Sequence, residues 1–334
     1  PWEKTMSGEI PIRHYWNVFC PAIIAIIGLF SSGALSQTTQ SLQSADSIPD
    51  GLEARAEQEA VEEPAEPPSR PFSLEVTYSL FSDYVFRGIN FSEYEGEGRE
   101  RLNHQLATSL GIPLGPDGKY GTFGFDMFFE WYEAQKRLNP ETGGQNLQEV
   151  DYTLKWSYAI EPIATTLTLG WTDYIFPNAN AIRTNEVFVK FEHNDAWVWR
   201  GLGYKGEEGI LNPSLFLARD LRVSEGYWIE FGMNHPFKLS QNLTLTPGIT
   251  FALDGGYLDP LLHDGEGQKS LEYAYTQYGM DVTYDLTEVL HLSPCAGSVF
   301  ISGQLYYNQA SRVEKRQGII KDEFYGGMAV GWSW

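Results

Sequence analysis

Apolar and polar residues alternate along most of the chain after residue 72. In the segment 72–86 most even positions are apolar, whereas the odd positions include serine, glutamate, threonine and aspartate. A helix would instead place apolar residues three and four positions apart. The pattern therefore predicts strands with one apolar and one polar face. The same alternation recurs at 123–131, 150–158, 187–192, 227–234 and 278–285.

Segments of this kind number about twelve, an even count that leaves both ends of an antiparallel barrel on the periplasmic side. Short turns and longer polar loops alternate between them, but the connection 195–213 is long where a short turn is expected. It could hold an additional hairpin or a lumenal plug, which leaves ten or fourteen strands open. The predicted fold is all-β, a transmembrane antiparallel up-and-down β-barrel over 72–334. The predicted strands are 72–88, 101–114, 119–134, 148–160, 163–175, 184–194, 213–221, 225–236, 241–253, 273–286, 290–308 and 323–334.

The last strand shows the membrane pattern most clearly. Its sequence, FYGGMAVGWSW, places Phe324, Met328, Val330, Trp332 and Trp334 on one face and small or polar residues on the other. Apolar outer faces and terminal aromatic girdles are typical of outer-membrane barrels. Trp332 and Trp334 are thus predicted to form a membrane-insertion C-terminus. A soluble sandwich with an aromatic core is the alternative.

The amino-terminal part has the composition of an export signal. The apolar run 19–30 follows basic residues and precedes Ala34-Leu35-Ser36, which predicts a signal peptide over 1–36 with cleavage before Gln37. Residues 37–71 are rich in glutamate and proline and predict a disordered periplasmic arm. We expect such an exported barrel to use the barrel-assembly machinery and to contact outer-membrane lipid. Removal of Cys20 with the signal would leave Cys295 without a disulfide partner.

Charge limits the partners of the chain. It carries 23 basic and 44 acidic residues, a net charge of -21, so nucleic acid is a poor partner. Strand parity places more acidic than basic side chains on the wet face, which would favour cations in a water-filled lumen. Pairing or solvation of these groups, without selectivity, is the alternative. The predicted pore-lining residues are Glu75, Asp83, Arg87, Asp126, Glu130, Asp151, Lys155, Glu186, Lys190, Glu192, Glu230, Asp281 and Asp285.

Candidate catalytic and metal-binding patterns are weak. His291 and Ser293 have the His-x-Ser spacing of outer-membrane phospholipases, but Pro294-Cys295 follows where that family has Asn-Gly. The acidic loop that contains Asp254 and Asp259 lacks the fixed spacing of a calcium loop. We predict no enzyme, cofactor or metal site from these residues.

The segment Ser82-Asp83-Tyr84-Val85-Phe86-Arg87-Gly88 resembles the first-strand motif of the TorF-type porin family of bacterial outer-membrane proteins. Two further stretches, 211–220 and 226–236, are similar in kind. The resemblance covers essentially 72–334 and implies a porin-like barrel without catalytic residues. On one continuous strand, Asp83 and Arg87 would point inward to pair with neighbouring strands, Tyr84 and Phe86 would join the outer girdle, and Gly88 would permit a bend.

The function predicted from the sequence is a monomeric or small-oligomer outer-membrane channel for passive diffusion of small polar solutes. A narrow or plugged structural or adhesive barrel without transport is the alternative, because a barrel of about twelve strands is narrow enough for side chains to obstruct. An outer-membrane lipid hydrolase is a weaker alternative.

Overall fold

A computed structural model describes residues 71–92, 102–132, 147–177, 182–206, 208–258, 270–312 and 320–334. The predicted signal peptide, and the predicted arm apart from Pro71, lie outside these residues. No helix within the described ranges is long and apolar enough to cross a membrane.

The described residues form strands with a few short helical turns. The one α-helix among them, α1, spans Ala196–Arg200. The strands are β1 (Ser73–Phe81), β2 (Val85–Phe86), β3 (Ile89–Asn90), β4 (Asn103–Pro113), β5 (Thr122–Tyr132), β6 (Leu147–Ile160), β7 (Thr165–Phe176), β8 (Ile182–His193), β9 (Ser214–Asp220), β10 (Tyr227–Asn234), β11 (Phe237–Lys238), β12 (Leu243–Gly255), β13 (Glu272–Asp285), β14 (Ser298–Ala310) and β15 (Glu323–Ser333).

All strands except β2 and β3 belong to one closed antiparallel sheet. Each pairs with its neighbour in sequence, and β1 closes the ring against β15, with Glu75 opposite Ser333 and Phe81 opposite Gly327. Because β10 and β11 both pair with β12, they act as one interrupted wall strand. The wall therefore has twelve strands, which confirms the predicted fold class.

The two rims of the barrel differ. The chain enters β1 and leaves β15 at the same rim, where Leu74 and Trp334 exchange backbone hydrogen bonds. This terminal rim also carries the short connections 114–121 and 161–164. The opposite loop rim carries the longer connections, such as 256–271. Short periplasmic turns and long external loops are typical of outer-membrane barrels.

Strand parity separates the two faces of the wall as predicted. On β15, Phe324, Met328 and Val330 are exposed on the outside, whereas Tyr325 and Ala329 are buried inside. The outer face is apolar over several neighbouring strands, as hydrocarbon requires. Trp332 and Trp334 also fix the terminal rim, because their indole N–H groups donate to the carbonyls of Ala296 and Cys295.

Two parts of the predicted strand assignment are wrong. The predicted strand 72–88 ends at Phe81, because the following residues leave the wall. The predicted strand 290–308 begins only at Ser298, because the connection 286–297 contains turns closed by backbone hydrogen bonds. The unusual connection 195–213 contains α1 and no strand in its described residues, so the hairpin considered for it is not found there.

Candidate functional site

Residues 82–92 form a hairpin inside the barrel, which we call the lumenal hairpin. Ser82 still bonds to the wall, since its N–H donates to the carbonyl of Gly326 on β15 at 2.8 Å. The chain then turns inward through β2 and β3, which pair only with each other. Its two ends meet again where the Tyr84 N–H donates to Ser92 Oγ at 2.7 Å. The hairpin is thus attached to the wall at its base and extends into the lumen.

The tip of the lumenal hairpin is a two-residue turn. Phe86 lies opposite Ile89, and the two residues between them, Arg87 and Gly88, have positive φ angles of 50° and 81°. Two consecutive positive φ angles are typical of a type I′ turn, which matches the twist of paired strands. Near the base, the Asn90 side chain donates to Asp83 Oδ1 at 3.0 Å. The motif residues therefore form a compact hairpin.

Arg87 at the tip makes an ion pair across the lumen with Glu186 on β8. The Arg87 Nη2 to Glu186 Oε2 distance is 2.9 Å, and the two side chains are 5% and 2% exposed. Glu186 also accepts hydrogen bonds from the hydroxyls of Tyr174, at 2.9 Å, and Tyr257, at 2.8 Å. Arg87 Nη1 is buried without a hydrogen-bond partner. Both oxygens of the Glu186 carboxylate therefore have polar partners. The Arg87 guanidinium has fewer, so its contacts offset only part of the cost of removing it from water.

Aromatic side chains surround the Arg87 guanidinium. Its Cζ lies 4.0 Å from the ring centre of Tyr257, 5.4 Å from Trp228 and 5.9 Å from Phe216. Such contacts stabilise a desolvated cation through the ring quadrupoles. They also bring residues of β9, β10 and the segment after β12 to the same point inside the barrel.

An apolar cluster fills the lumen around the hairpin at the loop-rim end. Trp228 and Ile320 are completely buried there, and Ile89 of the hairpin packs against the cluster. On the other side of the hairpin, Tyr84 stacks on Phe128 of β5 with a centroid distance of 6.1 Å. The hairpin thus contacts walls on opposite sides of the lumen in this half of the barrel. The cluster consists of Ala218, Trp228, Ala252, Leu258, Ala274, Tyr275, Ala310 and Ile320.

The predicted orientation of the family motif is wrong. Tyr84 and Phe86 do not join the outer girdle: both point into the lumen, where Phe86 lies 5.8 Å from Tyr174. Arg87 does not pair with a strand next to β1 but with β8, across the lumen. The reason is that the wall strand ends before the motif, so the parity of β1 no longer applies. The sequence signal was Gly88 between two short apolar runs, which is weaker than the Asn-Gly or Asp-Gly pair typical of a hairpin.

The half of the lumen near the terminal rim is more open, and we call it the vestibule. Charged residues of β5, β6 and β8 line it. Lys155 on β6 pairs with Asp126 on β5 at 2.6 Å, and their side chains are 17% and 21% exposed. Lys190 and Glu192 on β8 pair at 2.7 Å with 32% and 37% exposure. The exposed fraction of the paired side chains therefore rises from the lumenal hairpin towards the terminal rim. The predicted pore residues in this half face a polar space.

A group of carboxylates lies on β5 and β6, the part of the wall that Tyr84 contacts through Phe128. Glu130 accepts a hydrogen bond from the Asn103 side chain, and both residues are almost completely buried. Asp151 is half-buried, and its Oδ1 has no hydrogen-bond partner. Glu149, opposite Glu130 across the strand pair, is 2% exposed and was missed by the sequence analysis. Glu149 has the same strand parity as Asp151, but it precedes the segment 150–158 in which the alternation was recognised.

The other predicted pore residues are distributed along the wall. Glu230 accepts a hydrogen bond from the Trp228 indole at 2.7 Å, beside the lumenal hairpin. Asp281 accepts one from the Tyr306 hydroxyl at 2.7 Å. Glu75 binds the Thr77 hydroxyl, and Asp285 accepts from the Thr287 N–H at the terminal rim. These residues do not converge on one constriction.

The candidate catalytic residues lie in a turn at the terminal rim. Ser293 Oγ accepts a hydrogen bond from the Cys295 N–H and so begins the short helical turn Pro294–Ala296. Asp254 of the acidic loop accepts the N–H of Tyr257 at 2.6 Å, and Asp259 lies outside the described residues, as do Asp264 and Glu266. No group of three or more candidate metal ligands occurs in the described part of the chain.

Comparison with known proteins gives structural matches. No family model and no curated protein sequence matches the chain. An outer membrane channel from Pseudomonas putida F1 is 11% identical, with a TM-score of 0.42, over 81% of this chain and 99% of that chain. The KdgM porin in complex with disordered oligogalacturonate is 9% identical, with a TM-score of 0.38, over 78% and 98%. Outer membrane phospholipase A from Escherichia coli is 12% identical, with a TM-score of 0.38, over 78% and 92%. At such low identity and TM-score these matches assign neither a family nor a function.

Proposed function

We propose that the protein is an outer-membrane channel for small polar solutes whose lumen is closed, in this structure, by the lumenal hairpin. The observation that carries the proposal is the position of the hairpin: it fills one half of the barrel, whereas the vestibule remains polar and accessible. The resemblance of residues 82–88 to the TorF-type porin motif supports the same function. Residues 1–36 would then be the export signal and 37–71 a periplasmic arm.

The contacts of the hairpin suit a gate better than a permanent plug. The ion pair at its tip is buried, and the desolvation of both ions offsets much of their attraction. Arg87 also retains a buried N–H group without a partner, which favours release to water. A hairpin attached at its base can leave the lumen without any change in the wall. Solute passage would require that movement.

The proposed selectivity is for cations. In the vestibule, Asp126 and Glu192 are each paired with a lysine, but Glu75, Asp281 and Asp285 add further carboxylates to the inner wall. A low-dielectric wall increases the effect of this excess on permeating ions.

A plugged barrel without transport is the second candidate. The apolar cluster around Trp228 favours it, because burial of such a large side chain stabilises the closed arrangement. A permanent plug would then serve only to stiffen the barrel.

Planar-bilayer recording in a salt gradient tests the proposal. The variant replaces Tyr84–Phe91 by a short Gly-Ser linker, which the proximity of Tyr84 and Ser92 permits. We expect small, intermittent currents from the wild type and several-fold larger currents from the variant. The reversal potential of the variant should show that cations permeate more readily than anions. The control replaces 201–206 at the terminal rim in the same way and should match the wild type.

Equal conductance of the wild type and the hairpin variant would contradict closure by the hairpin. Currents absent from both proteins would favour the plugged barrel, provided that circular dichroism shows both to be folded. A reversal potential that shows anion selectivity would overturn the proposed cation preference. It would not contradict the proposal that the protein is a channel.

A further inference from the structure

A groove lies on the outer face of the barrel, near the loop rim, across β8, β9 and β10. Its volume is about 560 Å³. Adjacent strands contribute one row of aligned side chains to its floor, in which Val189 lies opposite Leu217 and Leu217 opposite Ile229. The floor therefore consists of aliphatic side chains that face the lipid.

The row nearer the loop rim has a different character. Here Val187 lies opposite Arg219, and Arg219 lies opposite Tyr227. The exposed Arg219 guanidinium is 5.1 Å from the Tyr227 ring centre, and Arg219 forms no ion pair with any described residue. A cation on the outer face of a transmembrane strand is costly unless it lies at the headgroup level or binds an anion.

The turn that follows β9 adds to this feature. Arg222 is exposed there, between the exposed apolar side chains of Leu221 and Val223. Arg219 at the rim, above an aliphatic groove, is complementary to a ligand with phosphate above and hydrocarbon below.

We infer that the groove binds a phosphorylated glycolipid of the outer leaflet. One acyl chain would lie along the row of Val189, Leu217 and Ile229, where its contact with aliphatic side chains removes apolar surface from disordered lipid or water. A phosphate of the headgroup would accept hydrogen bonds from Arg219, which arginine can donate in pairs. Tyr227 would hold the guanidinium at the interface, where tyrosine is enriched.

Native mass spectrometry of the full chain in detergent, titrated with lipid A, tests this inference. We expect bound lipid A on the wild type, with about tenfold weaker binding to Arg219→Gln because a charge-assisted contact to phosphate is lost. The control is Lys119→Gln, since the Lys119 amine lies 5.9 Å from the Tyr120 ring at the opposite rim. It should bind lipid A like the wild type.

Two further titrations separate the charge from the groove. Leu217→Trp should fill the groove and reduce binding while it leaves Arg219 in place, and dephosphorylated lipid A should bind the wild type as weakly as lipid A binds Arg219→Gln. Circular dichroism checks that each variant is folded. Equal binding of lipid A to the wild type and Arg219→Gln, or equal binding of lipid A and phosphatidylcholine to the wild type, would overturn the inference.

Discussion

Arg87 and Gly88 form the tip of the lumenal hairpin, and each is suited to its position for a different reason. Arg87 reaches a carboxylate on the opposite wall, and its planar group fits between aromatic rings. Gly88 has a positive φ of 81°, and a Cβ at this position would lie 2.7 Å from the Tyr275 ring and 3.0 Å from Ile320. Only a residue without a side chain lets the tip approach the wall so closely.

We predict that Gly88→Ala weakens the docking of the hairpin. The change adds about 1–2 kcal/mol of backbone strain and about 1–3 kcal/mol of overpacking against Tyr275. The control is Gly203→Ala, because Gly203 also has a positive φ, 95°, but a Cβ added there would meet no described atom within 4 Å. Urea unfolding in detergent measures both variants, and an equal loss of stability in the two would contradict the role of close packing at Gly88.

At the scale of elements, the connection 195–213 is held in place by Asp195 rather than by strand pairing. Its carboxylate accepts hydrogen bonds from the N–H groups of Leu211 and Asn212, both at 3.1 Å, and from the Trp199 indole at 2.5 Å. Burial alone would raise the pKa of Asp195, but these hydrogen bonds outweigh it and lower the pKa. The carboxylate thus ties both ends of the connection together at the terminal rim.

We predict that acid loosens this connection. Because the folded-state pKa of Asp195 lies below its unfolded value, its stabilisation is fully present above the unfolded pKa and is lost as the pH falls through the folded pKa. Hydrogen exchange of 208–213 should therefore lose protection at about pH 3 relative to about pH 7, after correction for intrinsic exchange rates. Asp195→Ala should lack that protection at both pH values.

The control for this prediction is Asp117→Asn in the exposed turn between β4 and β5. It should leave the exchange of 208–213 unchanged. Protection of this segment in Asp195→Ala equal to that of the wild type would contradict the assigned role of the carboxylate.

The sequence predicts the wall elements well and the lumenal hairpin poorly, for a physical reason. Wall strands such as β5 and β15 are long and meet lipid on one face and polar space on the other, so their alternation is strong. The hairpin strands have two residues each and are half-buried on both faces, so no alternation of their own separates them from β1. The pairing of Arg87 with Glu186 joins residues 99 positions apart, and no local pattern specifies it.

At the scale of the whole molecule, the barrel combines a wall suited to lipid with a lumen divided into two parts. The half near the loop rim is occupied by the hairpin and its apolar cluster, and the half near the terminal rim is the polar vestibule. Closure therefore depends on a few contacts between the hairpin tip and the wall. The Arg87–Glu186 ion pair is the contact that crosses the lumen most directly.

A double-mutant cycle on Arg87→Met and Glu186→Gln tests this account most directly. Each single change leaves a buried charge without its partner, so the two effects on the free energy of unfolding should overlap, with a coupling of about 0.5–3 kcal/mol. The control cycle pairs Arg87→Met with Glu192→Gln, because Glu192 lies about 20 Å farther along the same strand and the two changes should be additive within about 0.5 kcal/mol. We predict clear coupling in the first cycle and additivity in the second. Additivity in both would mean that the hairpin does not cross the lumen and would contradict the closed barrel described above.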